Sequence, residues 1–312
     1  MQPTSIIRSA FIAGFMAAGA YAASCGDKVQ PKTTLTLTSD MSCPGNGGWA
    51  ALIIPYGDAT INLNGHTITC TGANCGRGSS SIGIVSTNNY IPNVKIVGPG
   101  KIIGFGTGIQ VAADAPHGDG TGASISQVTI GGQGTTGIYV QNSGAPSCGT
   151  QISNMFTQPP PSFSIVNNQV SGQVQGIYVV GSHCGEVKGN LVADNNGYIQ
   201  AIENVGVEVH GDYNEVSSNT LAHNGFGNNE SWLGGGMKVG GNHNVIVQNY
   251  LTTHHAYGIL LGGSANSARL NTSRFTTNGY DMVDYATGTT WNANNVCNTQ
   301  NGLPAGICAA GE

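Results

Sequence analysis

The sequence predicts an all-β chain built as a stacked solenoid, and three observations carry that expectation. Among 312 residues there are 49 glycines and only 8% charged side chains, which means many turns and few helix formers. A glycine followed by apolar, variable, apolar residues recurs at Gly83, Gly108, Gly137, Gly176, Gly206, Gly236 and Gly258, with a degenerate copy at Asp281; the tightest spacings are 22 and 23 residues, in the range of solenoid repeats. Asparagines recur in two fixed columns, Asn219, Asn249, Asn271 and Asn294 thirteen residues after each start, and Asn214, Asn244 and Asn266 eight after.

The chain opens with Arg8, an apolar run from Ala10 to Ala20 too short to cross a bilayer, and the small-x-small pattern Ala20-Tyr21-Ala22. This reads as a secretory signal peptide over residues 1–23, leaving 24–312 as a single domain that is secreted or periplasmic. No other apolar run is long enough for a membrane helix. Eight cysteines in an exported chain predict disulfides, and nearest-neighbour pairing joins Cys25 with Cys43, Cys70 with Cys75, Cys148 with Cys184 and Cys297 with Cys308. Ten basic residues and a formal net charge of -5 exclude a nucleic-acid backbone as partner, because no basic patch can be assembled. A monomer is expected.

Within each copy the alternation has period two, the mark of a strand with one buried face. A recurring asparagine at a turn can bond to its counterpart on the next rung, and it tolerates the left-handed backbone that such turns need. Asn190 belongs to the first column one place late. Each rung must therefore keep its inward apolar residues and its turn amides, while its outward residues are free to vary. Cys25 to Ile61 is expected to close one end of the stack, and Trp291 to Cys308 the other.

These rungs, with the opening "CGDKVQPKTTLTLTSDMSC" and "INLNGHTITC", resemble the pectate-lyase-like secreted proteins of the right-handed parallel β-helix family, over roughly Cys25 to Cys308. The resemblance implies a single-stranded right-handed parallel β-helix with capped ends. It does not choose an activity, since lyases, hydrolases, epimerases and phage tailspikes share the fold. His66, in the opening-coil motif, reads as structural.

If the residue after each glycine points inward, the next forms an outward column: Gln110, Tyr139, Tyr178, Glu208, Lys238, Leu260. Neighbours in it are expected about 4.8 Å apart, with His210 facing the same way as Glu208. A surface Glu–Lys pair is by itself worth only a few tenths of a kcal/mol. The longest inserts, around Ser143 to Ser162, Asp194 to Asn204 and Asn224 to Gly235, flank this patch and are expected to wall a cleft. They carry Tyr198, Glu203, His223, Glu230 and Trp232, suited to gripping a sugar, while Tyr139 and Tyr178 extend the floor as stacking platforms. "THHAYG" brings His254, His255 and Tyr257 to the same rim. His183, Tyr213 and His243 are expected on a solvated turn away from it.

The resulting expectation is an enzyme acting on an extracellular polysaccharide, foremost a polysaccharide lyase working by β-elimination or a uronate epimerase; the alternatives are a glycoside hydrolase or transglycosylase on a neutral glycan and a non-catalytic glycan-binding solenoid. A lyase or uronate epimerase needs a base for the proton α to a carboxylate, a group that holds enolate-like charge, and an acid. The assignments are His210 or His255 as base, Lys238 as base or charge stabiliser, Tyr257 as proton donor, and Glu208 tuning Lys238. Uronate chemistry calls for more positive charge than this column holds; no cofactor is required, and a calcium ion on Glu203, Glu208 or Asp212 is the alternative source, although no calcium motif is present. A glycoside hydrolase or transglycosylase would use two of Glu203, Glu208, Asp212 and Glu230. A glycan-binding solenoid would use Tyr139, Tyr178 and Trp232 without chemistry.

Overall fold

The structure, a computed structural model, describes residues 22–45, 49–88, 93–113, 122–141, 162–197, 199, 202–226, 234–274, 276, 279–292 and 294–309. The expected signal peptide therefore lies almost wholly outside the described residues. So do Cys148, Tyr198, Glu230 and Trp232.

Every regular element among the described residues is a strand, and every pairing is parallel. Eleven strands form one face, running from Asp27–Lys28 to Gln300–Asn301. Two further ladders close the coil, and the long strands Val94–Ile103 and Ala123–Gly131 bend from one into the other. The architecture is the right-handed parallel β-helix. Cys25 to Ile61, expected to close the stack, stands at its end and continues its register: Asp27 pairs with Leu52 and Thr34 with Thr60 within the segment, and Leu52 pairs with Ile84 on the next rung.

The core is a set of inward columns. Leu52, Ile84, Ile109, Ile138, Ile177, Val207, Met237, Ile259 and Met282 succeed one another on adjacent rungs, all fully buried. At about 25 cal/mol per Å² of apolar surface, each added rung contributes its own share of stability. The recurring glycine has a separate cause: a β-carbon at Gly176 would lie 2.4 Å from the carbonyl oxygen of Gly206, and one at Gly206 would lie 2.7 Å from that of Gly236. Only glycine permits this approach. The glycines drop out of the pairing register, so the residue before each one faces outward as well as the residue two after it.

The asparagine columns are internal ladders. Backbone N and Nδ2 of Asn190 both donate to Oδ1 of Asn219, at 3.0 and 3.0 Å, and Asn219 repeats this on Asn249, Asn249 on Asn271 and Asn271 on Asn295. The last member is Asn295, not the expected Asn294, whose amide instead accepts from the Leu270 backbone. The left-handed residue is the one before the ladder, as at Ser218, Gln248 and Leu270, because the asparagine itself must turn its amide inward. The second column also forms, Asn214 to Asn244 to Asn266. A third, Asn195 to Asn224, ends on His254, whose Nδ1 accepts from the Asn224 backbone at 3.3 Å. His254 is thus buried in the wall rather than exposed at the rim.

Disulfides join Cys25 to Cys43, Cys70 to Cys75 and Cys297 to Cys308. Cys184 is also disulfide-bonded, its expected partner Cys148 lying outside the described residues. No helix among the described residues is long and apolar enough to cross a membrane.

Candidate functional site

The outward column forms in the expected register: Gln110 pairs with Tyr139, Tyr139 with Tyr178, Tyr178 with Glu208, Glu208 with Lys238 and Lys238 with Leu260. Beside it runs the second outward column, made by the residues before each glycine: Thr107, Thr136 and Gln175, then Val205, Gly235 and Tyr257. Between Thr107, Thr136 and Gln175 on one side and Gln110, Tyr139, Tyr178 and Glu208 on the other lies an open cleft of about 470 Å³, with Ile202 and Glu203 over its end.

Glu208 is the hub. Its side chain is 6% exposed, and its oxygens accept from His210 Nε2 at 2.6 Å and Gln175 Nε2 at 2.9 Å, with Lys238 Nζ 3.4 Å away. Burial alone would push the Glu208 carboxyl up, but the bond from His210 and the charge of Lys238 outweigh it and hold the group below the ordinary glutamate value. Lys238 donates to Glu203 at 2.6 Å. Burial works to lower the lysine, and the two carboxylates overcome it, so its value is raised and the ammonium persists. One ammonium therefore bridges two carboxylates, whose oxygens at 2.6 and 3.4 Å from it lie within about 6 Å of each other. With Glu208 ionised, His210 carries its proton on Nε2 and turns Nδ1 toward Gly240, where a β-carbon would come within 2.8 Å of that nitrogen.

Tyr139 and Tyr178 stack on each other, centroids 5.5 Å apart and planes 21° apart, and His210 meets Tyr178 edge-on at 6.3 Å. Their facing surfaces are taken up by each other, and the Tyr139 hydroxyl donates to Gln141 Oε1. Both phenols are raised, first by burial.

The remaining expected residues are placed elsewhere. Tyr257 is buried, its ring lying over Gly235, and its hydroxyl has no hydrogen-bond partner among the described residues; burial, then the charges of Glu203 and Glu208, push that phenol well up. His255 packs edge-on against Phe226 at 5.7 Å. His223 is exposed and sits 3.6 Å from Asp194 at a turn, outside the cleft lining. His183, Tyr213 and His243 lie on the opposite turn, where Tyr213 stacks on His243 and His183 faces Asp212. The calcium alternative does not fit. Among the described residues no three His, Cys, Asp or Glu cluster to hold a metal; the ammonium of Lys238 stands between Glu203 and Glu208, and Asp212 accepts from Asn242.

Sequence reasoning missed Thr107, Thr136, Gln175 and Ile202. For the first three a signal was present: "TGIQ", "TGIY" and "QGIY" all place a polar residue before the glycine, where a stack with one outward column would bury it.

A family model described as right handed beta helix region matches residues 108–275. No curated protein sequence matches the chain. Among solved structures, the GH136 lacto-N-biosidase from Eubacterium ramulus superposes with a TM-score of 0.45 at 11% identity, over 89% of this chain and 62% of that one. The present chain thus spans less than two thirds of that protein's length.

Proposed function

The chain belongs to the right-handed β-helix family, and on that scaffold we propose a secreted, carbohydrate-active enzyme that cleaves a glycosidic bond with Glu203 and Glu208. The disulfides Cys25–Cys43, Cys70–Cys75 and Cys297–Cys308, with Cys184 also bonded, fit an oxidising compartment. One observation carries the reading: both carboxylates line the cleft and lie within about 6 Å of each other, whereas Lys238, His210, His255 and Tyr257 are not part of its lining. Such a separation suits a carboxylate that faces the anomeric carbon and a second that handles the leaving group's proton. Glu208, buried and held ionised, takes the first role. Glu203, the more exposed of the two, takes the second, with Lys238 left to pair with Glu208 when Glu203 is protonated.

A second reading rests on the bond from His210 to Glu208. It frees Nδ1 as a base for abstraction of a proton α to a uronate carboxylate, with Lys238 as charge stabiliser and not base, because its ammonium is favoured. Against it stands the charge of the cleft, where two carboxylates face one cation.

The test is incubation of the purified protein with uronate polymers and with neutral and mixed glycans, following reducing ends and the ultraviolet absorbance of unsaturated products. New reducing ends without that absorbance are expected, with Glu203→Gln and Glu208→Gln each slowed about 10²–10⁴-fold. Unsaturated products would install the elimination reading. Retained glycan binding without any product would remove both in favour of a binding solenoid.

A further inference from the structure

The Cys70–Cys75 disulfide closes a small loop, and the segment that follows runs along the stack against the edge where chains enter the cleft sheet. Gly76 donates to the Gly104 carbonyl at 2.8 Å, Gly78 to Thr135 Oγ1 at 3.0 Å, and the Gly106 backbone donates to Ser81 Oγ at 3.0 Å. Thr135 precedes the cleft residue Thr136, so this strap stands alongside the cleft. From it the side chain of Arg77 extends to Gly197. A β-carbon at Gly197 would lie 2.5 Å from Cζ of Arg77 and 2.6 Å from Cγ2 of Val174, so the guanidinium is seated beside Val174 in space that only a glycine leaves free. Val174 adjoins Gln175, whose amide touches Glu208, and Gly197 lies on the segment leading to Glu203.

Two features set this guanidinium apart from Lys238. It is exposed, and among the described residues it makes no hydrogen bond or ion pair. Lys238 is engaged by two carboxylates. An anionic sugar unit at Glu203 and Glu208 would meet like charge, while an anionic group turned toward the strap would meet a planar fork of free donors matched to carboxylate or sulfate oxygens.

We infer that Arg77 is a specificity-determining residue that binds an acidic substituent of the glycan, so that the substrate is a mixed polymer with a neutral unit at the carboxylate pair and a carboxylate- or sulfate-bearing unit beside the strap. The inference rests on the cleft being the glycan site.

Affinity electrophoresis of the full chain against glucuronoxylan, chondroitin sulfate and debranched neutral xylan tests it. The wild type should bind at least one acidic glycan at least tenfold more tightly than the neutral xylan, with high salt abolishing the difference. Arg77→Gln should lose that preference without changing neutral binding, and Arg77→Lys should recover part of it. Preference for glucuronoxylan assigns a carboxylate; preference for chondroitin sulfate that desulfated chondroitin does not share assigns a sulfate. An unchanged preference in Arg77→Gln, or a wild type with none, overturns the inference. Turnover by the wild type is followed separately from binding, so failure of the carboxylate-pair reading shows in turnover and failure of this one in the binding preference.

Discussion

Glu208 shows how a buried charge is made tolerable. Removing a carboxylate from water costs several kcal/mol unless its lone pairs are filled, and here Gln175, His210 and Lys238 fill them. Because its folded value is depressed, the group contributes stability that is full above its ordinary value of 4.5 and is lost as pH falls through the lower folded value. Glu208→Gln should therefore flatten the melting temperature against pH below 4.5 relative to wild type, alongside its loss of turnover. Parallel melting curves for the two proteins in that range would mean that the carboxylate is not held as described.

At the scale of elements, ladders do what sequence periodicity alone leaves unexplained: they satisfy the backbone N–H groups of turns that parallel strands cannot pair. Asn249→Ala removes an acceptor for two donors and strands a buried backbone N–H of Asn219, so a loss of about 2–3 kcal/mol is expected in urea unfolding. Asn294→Ala, outside the ladder, should cost less than about 0.5 kcal/mol. If the two variants are equally destabilised, the ladder is not the source. His254 fills an asparagine's place and is held neutral, lowered from 6.5 to about 4 by burial, against the opposing effect of the Asn224 and Leu221 backbone. The unfolded chain binds the extra proton between those values, so stability falls as pH drops from 6.5 to 4, by up to about 3 kcal/mol. His254→Asn should keep the ladder and be more stable than wild type at pH 5, a difference absent at pH 8; calorimetry at the two pH values decides it.

At the scale of the molecule, a stack in which each coil touches only its neighbours unfolds most readily from its ends. The Cys25–Cys43 bridge, spanning 18 residues, restrains the first coil, and its removal by Cys25→Ser with Cys43→Ser should cost about 3 kcal/mol. Amide exchange should then accelerate across Ala50–Ile53 while Asn204–His210 keeps its protection; uniform acceleration would mean that the stack opens as one unit. The cleft belongs to this scale too. It joins side chains from rungs that begin at Thr107, Thr136, Gln175 and Asn204, with the Cys70–Cys75 strap standing alongside.

The coil repeat, the column from Gln110 to Leu260 and two of the three ladders were legible in the sequence, because a solenoid converts equal spacing along the chain directly into adjacency in space. What only the tertiary structure decided is what happens between columns. The glycine interruption that turns Thr136 and Gln175 outward, the stacking of Tyr139 on Tyr178 and the capture of Lys238 by Glu203 all depend on side chains whose separation in sequence has no fixed relation to their separation in space. Periodicity specifies which rung and which face a residue occupies; packing between unequal inserts determines which charges meet.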